Sequence, residues 1–315
     1  MNELHEALDD YLDIRQSLGF KVNRLGHELR QFVTFAENEG ASYITVDLAL
    51  RWAKQPAKAQ PARWAQRLQI VRRFAVWRKV TDPQTEVPPV GLLPHSYHRK
   101  SPYIYSDKEI EMLLRATREL SSPKGLKGLT YFTMLGLISV TGIRVGEAIA
   151  LDRETVDLEE GVLLISRTKF AKSRLVPVHE STRESLNRYA QERNRILPRA
   201  SDPAFFISER GTRVAKSSIE YIFALISGQI GLRAPVKGRR HGYGPRIHDM
   251  RHRFVVVTLL DWYRAGIDIE AEMPKLAAFL GHKTVSNTYW YIEAVPELLE
   301  LASRRLVERG EQAKS

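Results

Sequence analysis

Residues 126–147, LKGLTYFTMLGLISVTGIRVGE, decide how this chain folds. From Leu126 to Val140 the residues are apolar on nearly every side, so the spacing predicts a helix buried all round. Thr141-Gly142 breaks it, and a new helix is predicted from about Ile143, with Arg144 at its start and Glu147 one turn on. An arginine delivered directly from the end of a buried helix is an unusual placement for a solvated cation.

Working outward, Ser106 and Glu109 read as a capping box ahead of Ile110, Leu113 and Leu114. Downstream, Val162–Ile165 and Leu175–Val178 read as paired strands joined by the basic turn Arg167–Arg174. Ser181 and Glu184 read as a second capping box, and Phe205–Ile207 as a third short strand. Helices are predicted at about 216–228, 248–265, 270–280 and 296–309, with Pro296 opening the last and Gly310 closing it. Upstream, residues 4–80 read as four short helices. Leu4, Leu8, Tyr11, Leu12 and Leu18 keep helical spacing, as do Leu25, Leu29, Phe32, Val33 and Ala36. Thr45 caps a third helix carrying Leu48 and Trp52, and Pro61 opens a fourth carrying Trp64, Leu68, Val71 and Ala75. Five prolines between 81 and 102 mark an interdomain linker. The expected organisation is a helical domain at 1–82, a linker at 83–102 and a mainly α domain with a small antiparallel sheet, an α+β unit, at 103–315.

The 315 residues suffice for two domains, and 43% hydrophobic with 27% charged residues is ordinary for a folded chain. No apolar run reaches the roughly 20 residues of a membrane helix, and the acidic, amphipathic start does not read as a signal peptide. The absence of cysteine excludes disulfides, thiol catalysis and cysteine zinc sites. Lys and Arg number 48 against 37 acids, a net charge of +11, which points to a polyanionic partner. Both halves are basic. Six cations and no acid lie between Ala59 and Val80, among them Arg63, Arg67, Arg72 and Arg73, and these read as phosphate contacts. The segment from Tyr221 to His248 also lacks acids and holds Arg233, Lys237, Arg239, Arg240 and Arg246.

Four clusters carry the chemistry. They are Arg144 in Thr141–Glu147, Lys169 in Thr168–Arg174, His248-Asp249-Met250-Arg251-His252, and Leu280-Gly281-His282 with Tyr291 nine residues later. Two arginines offer forked donors that suit phosphate oxygens. Histidines move protons near neutral pH, a turn lysine can donate one, and tyrosine is a competent covalent nucleophile. No paired acids suit Mg²⁺. His248 and His252 have the spacing of a zinc helix, but the metalloprotease glutamate and a third ligand are missing. No metal or other cofactor is expected.

In order and spacing, TGIRVGEAIAL, K-x-x-K-x-R-x-V-P, H-x-x-R-H and L-G-H followed by tyrosine resemble the tyrosine recombinases, the phage integrase and Xer-like family. The resemblance covers essentially the whole chain and implies a SAM-like core-binding domain before the catalytic domain. It implies that Arg144 and Arg251 hold the phosphate, that Lys169 protonates the 5′-oxygen and that His248 accepts the tyrosine proton. His282 then bonds or positions the phosphate, and Tyr291 attacks to give a 3′-phosphotyrosyl link without metal or ATP. Lys172 competes with Lys169, and alignment on Arg174-Leu175-Val176-Pro177 favours Lys169. Tyr289 competes with Tyr291, and the nine-residue offset favours Tyr291. His252 reads as a packing residue and Glu147 as structural. Lys172, Arg174, Arg239 and Arg240 read as further DNA contacts. The implied partners are duplex DNA with an inverted-repeat core site and further copies of the chain, a dimer per site and a tetramer in synapsis, joined through the C-terminal helix. A partner recombinase or accessory protein is compatible with this. The implied setting is a cytoplasmic, nucleoid-associated protein of a prokaryote, a recombinase of the integrase or transposase type, with transposition, phage integration and plasmid or chromosome resolution all open as its role. The alternatives are a type IB topoisomerase, a DNA-binding regulator of the same fold and a metal-dependent nuclease.

Overall fold

The computed structural model describes residues 3–94, 101–166, 173–234 and 244–312. It divides into two compact units, Met1–Lys100 and Ser101–Ser315.

The first unit packs α1 (Glu3–Ser17), α2 (Asn23–Asn38), α3 (Val46–Lys54) and α4 (Pro61–Arg78). Each helix is amphipathic, and the buried stripes meet in one core that includes Leu8, Leu29, Phe32, Trp52, Val71 and Phe74. Phe32 meets Trp52 edge-on at 5.4 Å, and the Tyr11 ring lies 5.4 Å from Phe74. Thr45 caps α3 by accepting the Leu48 N–H at 3.1 Å, and Pro61 opens α4. Leu18 lies beyond the end of α1 and is exposed. Residues 83–94 belong to this unit. The Glu86 N–H donates to the Ile44 carbonyl at 2.7 Å, its carboxylate accepts the Val46 N–H at 2.7 Å, and Leu93 joins the core.

In the second unit α6 (Leu126–Thr141) is central, flanked by α5 (Asp107–Arg118), α7 (Val145–Ala150), α8 (Glu180–Ile196) and α10 (Ile247–Arg264). Eleven of its sixteen residues are buried, as an all-round apolar sequence requires. It ends at Gly142, whose φ of +62° reverses the chain into α7. The sheet is β1 (Val156–Asp157), β2 (Val162–Ile165) and β3 (Arg174–Pro177), antiparallel in that order, with Val162 opposite Pro177 and Ile165 opposite Arg174. The remaining helices are α9 (Lys216–Gln229), α11 (Ile269–Leu280), α12 (Ser286–Ala294) and α13 (Pro296–Gln312).

Several sequence expectations are corrected. Phe205–Ile207 is not a strand of the sheet. Isolated bridges pair Ala204 with Asp152 and Ile207 with Arg213, and the third strand is the two-residue β1. The α8 cap is His179, whose ring accepts the Ser181 N–H, in place of a Ser181–Glu184 box. Gly310 lies inside α13, and α12 has no counterpart among the expected helices. Helix α13 rests on its own unit. Leu298 is buried against the cluster holding Tyr291, and Arg305 donates to the Ile267 carbonyl at 2.7 Å. Among the described residues no helix is long and apolar enough to cross a membrane.

Candidate active site

The site is built around the last turn of α11. A helix C-terminus leaves carbonyls without intrahelical donors and carries partial negative charge. Here three arginines from three other elements take them up. Arg174 Nε, from β3, donates to the Phe279 carbonyl at 2.7 Å. Arg251 Nη2, from α10, donates to the Leu280 carbonyl at 2.7 Å. Arg144 Nη2, from the start of α7, donates to the Gly281 carbonyl at 3.0 Å. Gly281 takes the left-handed φ of +66° that ends α11 and brings the chain round to His282.

Each cation is fixed a second time. Arg251 Nη1 donates to the Gly142 carbonyl at 2.6 Å, so one guanidinium ties the α6 terminus to the α11 terminus. Arg251 is 2% exposed, and burial, then the charge of Arg144, pushes it down to about 10. Arg144 Nη1 donates to Glu147 Oε1 at 2.7 Å, yet the side chain stays 39% exposed, open to an incoming anion. Glu147 also accepts Arg174 through both oxygens, at 3.1 and 2.7 Å. Burial alone would raise the Glu147 carboxyl. The hydrogen bonds from Arg174 and the Arg144 N–H override it and hold the group at about 2.

That shift predicts a pH dependence. The native value lies below the ordinary 4.5, so the unfolded chain binds the proton first as pH falls. Stability from this carboxylate is complete above pH 4.5 and is lost as pH falls towards 2. Denaturant unfolding of wild type and Glu147→Gln should show a wild-type advantage of up to about 3 kcal/mol at pH 6 that shrinks steadily below pH 4.5.

On α10, His248 is exposed on the first turn. Desolvation against the protein, then the charge of Arg251, pushes its imidazole down to about 4, so it is neutral at physiological pH and able to accept a proton. His252 lies one turn deeper, its ring 4.8 Å from that of His248. Its Nδ1 sits 2.7 Å from the Tyr291 hydroxyl, and Tyr291 is 1% exposed. His282 Nδ1 lies 2.7 Å from Thr288 Oγ1, one turn before Tyr291 on α12, which links the α11 terminus to the helix carrying the hydroxyl. Tyr289 is 38% exposed, on another face of α12 from Tyr291.

Arg144, Arg251 and His282 therefore meet at one helix terminus, while Tyr291 meets His252, with His248 alongside. His252, expected as a packing residue, meets the Tyr291 hydroxyl, and its i, i+4 spacing from His248 is the sequence signal that sets the two rings side by side. Lys169, Lys172, Arg239 and Arg240 lie outside the described residues. Two of the arginines expected to contact DNA are engaged inside the protein. Arg174 is 11% exposed and engaged inside the unit. Arg67 is 6% exposed, its guanidinium lies 3.6 Å from the centre of the Trp52 ring, and it donates to the Trp52 carbonyl at 3.0 Å. Desolvation there lowers its pKa, and it braces α3 against α4. Arg63, Arg72 and Arg73 line a groove of about 490 Å³ beside residues 89–93, although Arg63 also pairs with Glu28.

The model of the phage integrase family matches residues 105–297. A Sinorhizobium fredii protein with an integrase/recombinase name, y4rB, is 42% identical over 99% of both chains. Tyrosine recombinase XerD of Ralstonia nicotianae is 25% identical over 84% of this chain and 80% of its own. Among solved structures, the Tn1549 transposon integrase in complex with transposon right end DNA aligns at a TM-score of 0.65 and 13% identity, covering 96% of this chain and 99% of its own. A lambda integrase tetramer bound to a Holliday junction aligns at 0.61 and 16%, covering 89% and 77%. Both show a shared fold.

Proposed function

We infer the reaction from the premise that this chain belongs to the phage integrase family and is a tyrosine site-specific recombinase: it cuts and rejoins DNA through a covalent link to Tyr291. One observation carries this reading. Arg144 and Arg251 converge on the α11 terminus beside His282, and the next helix carries a tyrosine hydroxyl already paired with a histidine.

The step balances without a cofactor. The phenolic oxygen attacks phosphorus as the bond to the 5′-oxygen breaks. The tyrosine proton passes to a histidine: His248 is the neutral acceptor at the open face, and His252 is the group at the hydroxyl in the resting site. Lys169, between β2 and β3 in the sequence, protonates the departing 5′-oxygen. Arg144 and Arg251 stabilise the charge on the non-bridging oxygens as five-coordinate phosphorus forms. His282 bonds or orients the same phosphate. The product is a 3′-phosphotyrosyl ester, and a 5′-hydroxyl from the partner strand reverses the chemistry. The ester conserves the bond, so neither ATP nor a metal is consumed.

DNA contacts are assigned to Arg63, Arg72 and Arg73 on the first unit and to Lys172, Arg239 and Arg240 on the second. The site would be an inverted repeat, with a dimer on each repeat pair and a tetramer in synapsis. Exchange of α13 between copies would then break the contacts Leu298 and Arg305 make at home. Supporting this, the relatives include proteins solved on DNA, one of them a tetramer.

The test is covalent trapping. Nicked duplexes covering the DNA around the gene are incubated with the protein in EDTA, and an SDS-resistant adduct is expected at the same yield as without chelator. An adduct that vanishes with EDTA would replace this mechanism with a metal-dependent one. Tight binding and no adduct would mark a regulator or a partner-dependent enzyme, and of these two the burial of Tyr291 fits the partner-dependent enzyme.

A further inference from the structure

Arg174 lies in the basic hairpin, where a phosphate contact is the natural expectation, but its guanidinium faces inward. We propose that Arg174 is a positioning residue: it fixes Arg144 through Glu147 and anchors the α11 turn that receives the phosphate-binding arginines. The proposal rests on the recombinase reading above.

The contacts form a closed circuit. Arg174 Nη1 and Nη2 grip both oxygens of Glu147 at 3.1 and 2.7 Å, a forked pairing that a lysine cannot make. Glu147 passes the constraint on by accepting the Arg144 side chain at 2.7 Å and the Arg144 backbone N–H at 2.9 Å. Arg144 then donates to the Gly281 carbonyl at 3.0 Å. Two residues back along α11, the Phe279 carbonyl accepts Arg174 Nε at 2.7 Å, which closes the loop. The packing is tight as well. A Cβ on Gly281 would stand 2.8 Å from Arg174 Nη1, so the guanidinium lies directly beneath the turn.

Burial decides between the two roles. Arg174 is 11% exposed and all three of its nitrogens are engaged within the protein, whereas Arg144 is 39% exposed. A phosphate contact needs N–H groups facing outward, and Arg144 has that character. Left without its neighbours, a long arginine samples many rotamers. A displacement of about 1 Å at a reacting centre costs about 100-fold in rate.

The test uses the full chain with Arg174→Gln, Arg174→Lys and the double change Arg174→Gln/Glu147→Gln. Affinity for a short duplex of arbitrary sequence is followed against salt. The adduct rate is read at saturating nicked duplex, and amide exchange is read at residues 279–282 without DNA. Arg174→Gln should leave the salt slope unchanged, slow the adduct about 100-fold without weakening binding, and speed exchange at the α11 turn. Arg174→Lys should recover only a small part of the rate, and the double variant should be no slower than the single one. A salt slope reduced by about 1, with exchange unchanged, would make Arg174 a phosphate contact and overturn the proposal. So would an unchanged adduct rate beside an active wild type. If wild type itself forms no adduct, the chain is a regulator or a partner-dependent enzyme, and it is the proposed cleavage by this chain alone that fails. The salt slope and exchange then still decide whether Arg174 is the internal tie.

Discussion

Tyr291→Phe is expected to remove the covalent adduct entirely, a loss of at least about 10⁴-fold in strand cleavage, while the protein still folds and binds DNA. The ring is 1% exposed and packs in a cluster with Val255, Leu259, Leu276 and Leu280, and phenylalanine keeps that volume. The change deletes one oxygen and its 2.7 Å contact with His252 Nδ1. One such contact is worth about 1 kcal/mol, too little to unfold the domain. Tyr289→Phe serves as the control. That side chain is 38% exposed, so its loss should leave both adduct and stability unchanged. SDS gel shifts on nicked duplex decide the matter, and an adduct lost only in Tyr289→Phe would move the nucleophile two residues back.

The second large effect is expected at Arg251. Replacement by lysine should slow adduct formation by about 10²–10³-fold and cost a few kcal/mol of stability, on the order of 3. The guanidinium spans two helix termini and donates to both, at 2.6 Å to the Gly142 carbonyl and 2.7 Å to the Leu280 carbonyl. A lysine ammonium at the end of a single stem reaches one of these carbonyls and leaves the other buried without a donor. It is also easier to deprotonate in a desolvated place. Both Gly142 and Gly281 hold left-handed φ values, +62° and +66°, and present their carbonyls to Arg251 and Arg144 respectively. The two turns and the two cations therefore form one structure. Denaturant melts and single-turnover cleavage, measured together, should fall together. Wild-type cleavage in Arg251→Lys would remove this residue from the phosphate site.

The parts of this design that could be read from the sequence are those governed by local rules. The all-round apolar Leu126–Val140, the Ser106–Glu109 box, the Thr45 cap and the Pro61 start all follow from spacing and capping alone, and each is present. Arg144, Arg251, His282 and Tyr291 could be singled out because motifs are local too. What was not legible depends on approach in space. Helix α12 carries Tyr291 but has few core-facing apolar residues, so its period is weak. The two-residue β1 is fixed by pairing with β2, and Phe205–Ile207, equally apolar, buries its side chains without a ladder. Arg67 and Arg174 look like surface cations in a list of charges. Their partners, Glu28 and Trp52 for one and Glu147 and Phe279 for the other, lie 15 to 105 residues away in the chain.

The pairing of Tyr291 with His252 in the interior has a consequence for how the protein behaves in a genome. On the proposed mechanism, a solitary copy sliding over chromosomal DNA would present no attacking oxygen, and accidental nicks would be suppressed whatever phosphates the arginines meet. Cutting would then scale with the fraction of molecules in which the tyrosine hydroxyl is exposed. If that fraction is about 1%, observed cleavage is about 100-fold below its intrinsic speed, and whatever stabilises the exposed form restores the difference. Speed would thus report on encounter with the right neighbours, and the same buried hydroxyl that serves as the blade also serves as its sheath.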